Sequence, residues 1–227
     1  RRRGSNTDTN AGCDTNAGSN AYSDTWSRDY SKLHRAVSVI PDNLPAGVNI
    51  PVAVGTACTI TDLNFRFDGT QSATVGDTGV GVTHSWVGDL VFKLTSPSGT
   101  AVTFFDRPGV PASAAGCNNN NLAQLILDDD GGFPSIEAQC NSAGSAAAFP
   151  TGSFSPNNPL SAFDGQSAVG TWTLNVNDNA AADTGTVNRF SLVFTVPVVA
   201  NPDTNSSTNR DTDANACGVN CIVCPTE

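Results

Sequence analysis

The sequence predicts an all-β fold, a jelly-roll-like β-sandwich, held between non-globular N- and C-terminal arms. Three observations predict it. Trp172, Leu174 and Val176 alternate strictly with Thr171, Thr173, Asn175 and Asn177, and Phe190, Leu192, Phe194 and Val196 repeat the pattern. This is the period of a strand with one buried and one wet face. Shorter runs of the same kind follow one another between turn residues, the spacing of a sandwich or jelly roll. The composition agrees: 21 Gly and 13 Pro supply turns, and Lys plus Arg total only 11 in 227 residues.

Residues 1–36 are dominated by Ser, Thr, Asn, Asp, Gly and Ala. Such a segment buries too little apolar surface to offset its ordering entropy, so it reads as a polar arm outside the sandwich. Its anchors are Tyr22, Trp26, Tyr30 and Leu33, whose spacing suits one helical face or an extended docked arm. Residues 37–40 and 48–54 read as short edge strands, because Pro41, Pro45 and Pro51 remove ladder donors. Thr59, Thr61, Leu63, Phe65 and Phe67 then form one face of a longer strand, 68–79 a loop, and Val80, Val82, His84 and Trp86 the next alternating face. Leu90, Phe92 and Leu94 belong to a further strand, which Ser96-Pro97-Ser98-Gly99 turns into one bearing Val102 and Phe104.

Residues 106–158 form a long insertion rich in Gly, Asn, Ala and Pro, broken by the apolar run at 122–127. A loop of this length needs restraint, and Cys117 and Cys140 bracket it, either as a disulfide or as two buried thiols. The Trp172 and Phe190 runs are joined by small and polar residues at 179–185, so the two read as an antiparallel pair. The sandwich is accordingly placed at 37–198. Residues 199–227 form a polar tail that carries Cys217, Cys221 and Cys224.

Gly170-Thr171-Trp172-Thr173-Leu174-Asn175-Val176-Asn177-Asp178, followed by Asp183-Thr184-Gly185-Thr186-Val187-Asn188-Arg189-Phe190-Ser191-Leu192, resembles the C-terminal signature of the P domain, or P/Homo B domain, of proprotein convertases and secreted bacterial proteins. Ile40-Pro41-Asp42-Asn43, Ile60-Thr61-Asp62-Leu63, Thr83-His84-Ser85-Trp86-Val87-Gly88-Asp89-Leu90 and Leu94-Thr95-Ser96-Pro97-Ser98-Gly99-Thr100 are similar to the earlier family blocks in order. Pro159-Leu160-Ser161-Ala162-Phe163-Asp164-Gly165 resembles the block before the Trp strand. The resemblance implies a jelly-roll-like sandwich. It also implies a bridge between Cys117 and Cys140, since bacterial relatives carry a cysteine on either side of an Asp-rich segment.

A formal charge of −10 argues against nucleic acid or an anionic membrane as partner, because phosphate binding needs clustered Lys or Arg. No run approaches the ~18 apolar residues of a membrane span. Seven cysteines without a repeated Cys-x-x-Cys pair point to disulfides and an oxidising compartment. The sequence contains no Met, so the chain is expected to be processed or trimmed. Secreted or cell-surface is the consistent reading.

No catalytic residue is assigned. His34 and His84 are the two histidines, no Gly-x-Ser-x-Gly is present, and His84 reads as a structural hydrogen-bonding residue. In proprotein convertases the active site lies in a separate subtilisin-like domain, so the resemblance implies a non-enzymatic module. The acids offer a metal instead. Asp128-Asp129-Asp130 gathers three carboxylates, with Asp62, Asp77, Asp89, Asp164, Asp178 and Asp183 at strand ends or turns. Calcium suits such oxygen-rich extracellular loops, with Asp89, Asp128 and Asp129 the expected ligands, against the alternative that these acids cap their own turns.

Two roles follow. In the first, the chain is a self-associating extracellular subunit whose N-terminal arm docks on a neighbour through Tyr22, Trp26 and Tyr30, giving an open filament. A polar arm can add to a sheet edge through main-chain bonds alone. Cys13, Cys58, Cys217, Cys221 and Cys224 remain after one bridge, which points to a covalent tie between an arm and a sandwich. In the second, the chain is the stabilising accessory domain of a secreted subtilisin-like protease. Glycan binding rests on fold analogy alone.

Overall fold

The alternating runs become strands packed in layers around an aromatic interior. The structure is a computed structural model that describes residues 27–55, 58–140 and 146–197. Twelve strands lie among them: β1 (Ser27–His34), β2 (Ser38–Ile40), β3 (Leu44–Val54), β4 (Asp62–Phe67), β5 (Val82–His84), β6 (Leu90–Thr95), β7 (Ala101–Asp106), β8 (Leu125–Leu127), β9 (Gly152–Phe154), β10 (Gly170–Asp178), β11 (Gly185–Val187) and β12 (Phe190–Pro197). They make a five-stranded sheet ordered β1-β12-β4-β8-β9, a four-stranded sheet ordered β3-β10-β6-β7 and a three-stranded sheet ordered β2-β11-β5. The β8–β9 pair is parallel, and the other strand pairs are antiparallel.

The two larger sheets pack face to face through aromatic side chains. Phe65 of β4 meets Phe104 of β7 at 4.5 Å between ring centroids, and Phe67 meets Phe92 of β6 edge-on at 5.1 Å. Offset and edge-on contacts of this kind add ~0.5–1.5 kcal/mol beyond area burial. Trp172 lies in the same interior, wholly buried, with its Nε1–H donated to the Ala168 carbonyl at 2.8 Å. Phe163 and Phe194 flank its ring at 5.1 and 5.4 Å.

The runs at 170–178 and 190–196 do not pair as a hairpin. β10 and β12 sit in opposite sheets, with Trp172 against Phe194 across the interior. Both strands carry a full apolar row, and facing each other buries both rows at once. The connection between them is used as β11, which pairs β2 and β5. Asn188 and Arg189 then both donate backbone N–H to the Gly81 carbonyl, at 2.8 and 3.0 Å, where the chain crosses to the other sheet.

The expected wet face of β10 is also partly covered. Asn175 and Asn177 are 8% and 9% exposed, because β3 lies alongside. Asn175 Nδ2 donates to the Ala46 carbonyl and Asn49 Oδ1, Asn177 Nδ2 donates to Asn175 Oδ1, and Asn179 Nδ2 to Asn177 Oδ1. This side-chain ladder satisfies amides that burial would otherwise leave costly. Opposite it, Gly47 has φ +64°, and a Cβ there would collide with the Val176 backbone, so only glycine fits the bulge in this pairing.

The last part of the predicted N-terminal arm belongs to the sandwich. β1 pairs with the chain's own β12 from Ser27↔Pro197 to His34↔Phe190. Main-chain strand addition of the kind expected on a neighbour is therefore made within the chain, and Tyr30 sits in register with Phe194. Tyr22, Trp26, Cys13 and the three tail cysteines lie outside the described residues. Cys58 is buried, at 7% exposure. The long insertion contributes β8 and β9, and Cys117 and Cys140 are joined by a disulfide across Cα atoms 5.4 Å apart.

Candidate functional site

β10 runs the length of the sandwich and separates two acidic ends. At its start, Gly170 pairs with Val54, and nearby Ile60 N–H donates to the Gln166 carbonyl. Here Asp62 at the head of β4 lies within electrostatic reach of Asp128, Asp129, Asp130 and Asp164. At its finish, Asp178 pairs with Leu90. Asp89 lies there within reach of Asp178, Asp183 and Asp42. The eight steps from Gly170 to Asp178, at ~3.3 Å each, put the ends about 25 Å apart.

Each end uses its carboxylates as local acceptors. Asp128 Oδ1 accepts N–H from Asp130 and Gly131, and Asp129 accepts from Leu160 and Ser161, holding the 3-10 turn Leu160–Phe163. Asp62 Oδ2 accepts from Asn64 Nδ2 at 3.0 Å. Burial first, then the surrounding carboxylates, pushes Asp62 up to about 6. Asp164 is raised for the same reasons.

The opposite end is more enclosed. His84 and Asp178 are both fully buried, with Nε2 donating to Asp178 Oδ2 at 3.1 Å. With Nε2–H given to Asp178, Nδ1 of the neutral ring is the acceptor and takes the Trp86 N–H at 3.1 Å. Asp89 is 3% exposed, and its carboxyl receives no hydrogen bond from the described residues, although its backbone carbonyl accepts from Asn179. Burial, then Asp178 and Asp183, pushes it up to about 6, with Arg107 acting the other way.

The expected calcium ligands are not brought together. Asp89 lies at one end and Asp128 and Asp129 at the other, and the latter two are occupied by backbone amides. Among the described residues, no group of three His, Cys, Asp or Glu is placed to hold a metal ion. The reason is topological: sequence shows that acids sit at turns, but strand direction decides which end each turn occupies.

A serine, a histidine and an aspartate do meet at the enclosed end, without the geometry of acyl transfer. The Ser85 hydroxyl donates to Asp183 Oδ1 rather than to His84. The His84–Asp178 pair has no exposed edge from which to activate a substrate. It links β5 to the end of β10 and holds the loop at Trp86, a positioning task.

Sequence reasoning missed one further acid. The 3-10 turn Ile136–Ala138 carries Glu137 at the edge of a cleft of about 520 Å³ formed with residues 109–113. Its Oε1 accepts the Asp106 N–H at 2.9 Å. Burial pushes Glu137 up to about 7, with the Asp106 amide opposing and the Asp106 carboxylate adding. An isolated glutamate in an irregular insertion gives no pattern from which this placement can be read.

Residues 135–194 match the family model of the proprotein convertase P-domain. The resemblance read from the sequence is borne out over this stretch, which holds the blocks at 159–165, 170–178 and 183–192; the earlier blocks lie upstream of it. Among solved structures, the serine protease of Aeromonas sobria in complex with a chaperone is similar, with a TM-score of 0.43 and 14% identity over 76% of this chain and 27% of that one. A second structure of the Aeromonas sobria serine protease has a TM-score of 0.43 and 14% identity over 75% of this chain and 27% of that one. The chain spans about a quarter of the length of those protease chains. No curated protein matches it by sequence.

Proposed function

We propose that this chain is a non-catalytic accessory domain of a secreted subtilisin-like protease, and that it stabilises a catalytic domain that this sequence does not include. The match of residues 135–194 to the proprotein convertase P-domain carries the proposal. Two features support it. The histidine is sealed against Asp178 with the neighbouring serine turned away, which leaves that pair no route to a substrate. A disulfide across the insertion suits an oxidising, extracellular location. Among the described residues, no helix is long and apolar enough to cross a membrane.

The role is mechanical. Strands closed around a dry aromatic interior resist unfolding, and burying part of their surface on a catalytic domain couples the two stabilities by mass action. The test has two arms. The full reading frame that encodes this chain should contain a subtilisin-like catalytic sequence, and the isolated chain should leave peptide substrates uncleaved. A frame without any protease sequence, or peptide hydrolysis by the isolated chain, overturns the proposal.

A further inference from the structure

We infer that the cleft between residues 109–113 and the Ile136–Ala138 turn receives a cationic side chain, lysine or arginine, from a partner polypeptide, with Glu137 as the counter-charge. The inference goes beyond the accessory role, since it holds whichever protein supplies that side chain. Its first support is an unpaired acid. Glu137 uses Oε1 on the Asp106 N–H, and no Lys, Arg or His among the described residues forms an ion pair with it. A half-buried carboxylate in that position has surrendered hydration without gaining a counter-charge, which a cation entering the cleft supplies.

The second support is the chemistry of the walls. Val110, Pro111, Ala112 and Ala138 give a small apolar surface beside the acid. The methylene stem of lysine or arginine lies along such a surface while its charged head reaches a polar group at the far side. The walls are also fixed in place. Gly109 N–H donates to the Glu137 carbonyl, Cys117 N–H to the Pro108 carbonyl, both at 2.8 Å, and the Cys117–Cys140 disulfide ties the two sides. A site ordered before its ligand arrives loses little entropy on binding.

The charge state gives the site a signature. Burial, with Asp106 the one charged neighbour that acts on it, holds Glu137 near 7. Ionised Glu137 is the binding form, so affinity rises with pH. About a tenth of the acid is ionised at pH 6 and about nine-tenths at pH 8, roughly a tenfold change in apparent Kd.

The experiment is a 15N NMR titration of the full chain with N-acetyl-arginine methylamide, with N-acetyl-norleucine methylamide as the neutral control. The expected result is saturable shifts at the amides of Gly109, Ser113 and Ala138, with an apparent Kd about tenfold lower at pH 8 than at pH 6. Glu137→Gln keeps an oxygen acceptor for the Asp106 N–H while removing the charge, and should weaken binding at least tenfold. Ala112→Trp fills the cleft from its exposed rim without touching Glu137 and should abolish the shifts. Absence of shifts, an equal response to the neutral analogue, or undiminished binding by either variant overturns the inference.

Discussion

Replacing Asp89 by asparagine should stabilise the sandwich above neutral pH and change little near pH 3. Asp89 is 3% exposed, and burial, then Asp178 and Asp183, raises its carboxyl from 3.8 to about 6. A folded-state pKa above the unfolded one means that the native state holds the proton more tightly. Its favourable contribution is fully present below about pH 3.8 and is lost progressively as pH rises from there through about 6. A difference of about two pKa values corresponds to ~3 kcal/mol as a ceiling, and solvent reaching the carboxylate reduces this to roughly 1–2 kcal/mol. The asparagine side chain has nearly the same shape and no charge to bury. For a domain of this size, ~1 kcal/mol moves Tm by ~2–4 °C, so Asp89→Asn should raise Tm at pH 8 by roughly 2–8 °C. Calorimetry of both proteins from pH 3 to pH 8 tests this. Equal Tm values at pH 8, or a gain that persists undiminished at pH 3, refutes the electrostatic reasoning.

Asp62 and Glu137 are raised in the same sense as Asp89, so the wild-type Tm should fall between pH 5 and pH 8; a Tm that rises over this range contradicts the shared sign. Trp172→Ala should cost ~3–5 kcal/mol, read as a lowered urea midpoint at unchanged slope, because it empties the space between Phe163 and Phe194 and leaves the Ala168 carbonyl without its donor. Replacing Cys117 and Cys140 together by serine should cost about 3 kcal/mol in the chain-entropy account, and dithiothreitol should lower the wild-type Tm by a comparable amount. Gly47→Ala should destabilise by more than ~1 kcal/mol, since alanine is strained at φ +64° and its Cβ meets the Val176 backbone.

Period-2 alternation carried most of the fold because it reports a local property, which face of a strand is dry. Leu63, Phe65, Phe67, Phe92, Leu94, Trp172 and Leu174 are all buried as their alternation requires. Pairing is not local. The runs at 170–178 and 190–196 are neighbours in sequence, yet they take opposite sheets, because either arrangement satisfies the same alternation. β1 was hidden for a related reason. Ser27–His34 is polar and joins the edge through main-chain hydrogen bonds, which leave no apolar trace. Asn175 and Asn177 read as wet for want of any sequence sign that β3 would cover them.

The acidic residues show the same limit at the candidate site. Their position in turns was legible, while their division between two ends about 25 Å apart depends on strand direction. His84 was legible as a structural residue from its place in the family-like block at 83–90, but its partner Asp178 lies far along the chain. Glu137 owes its setting to the disulfide-bound fold of the insertion, where no periodicity exists to read.

The accessory role is tested most directly by the survival of proteolytic activity. The protein encoded by the full reading frame should be compared, at a temperature where activity decays within an hour, with a version lacking residues 27–197. The account predicts a much shorter half-life for the truncated form, with freshly made enzyme of either kind cleaving a short peptide by the same chemistry. Equal half-lives would contradict it.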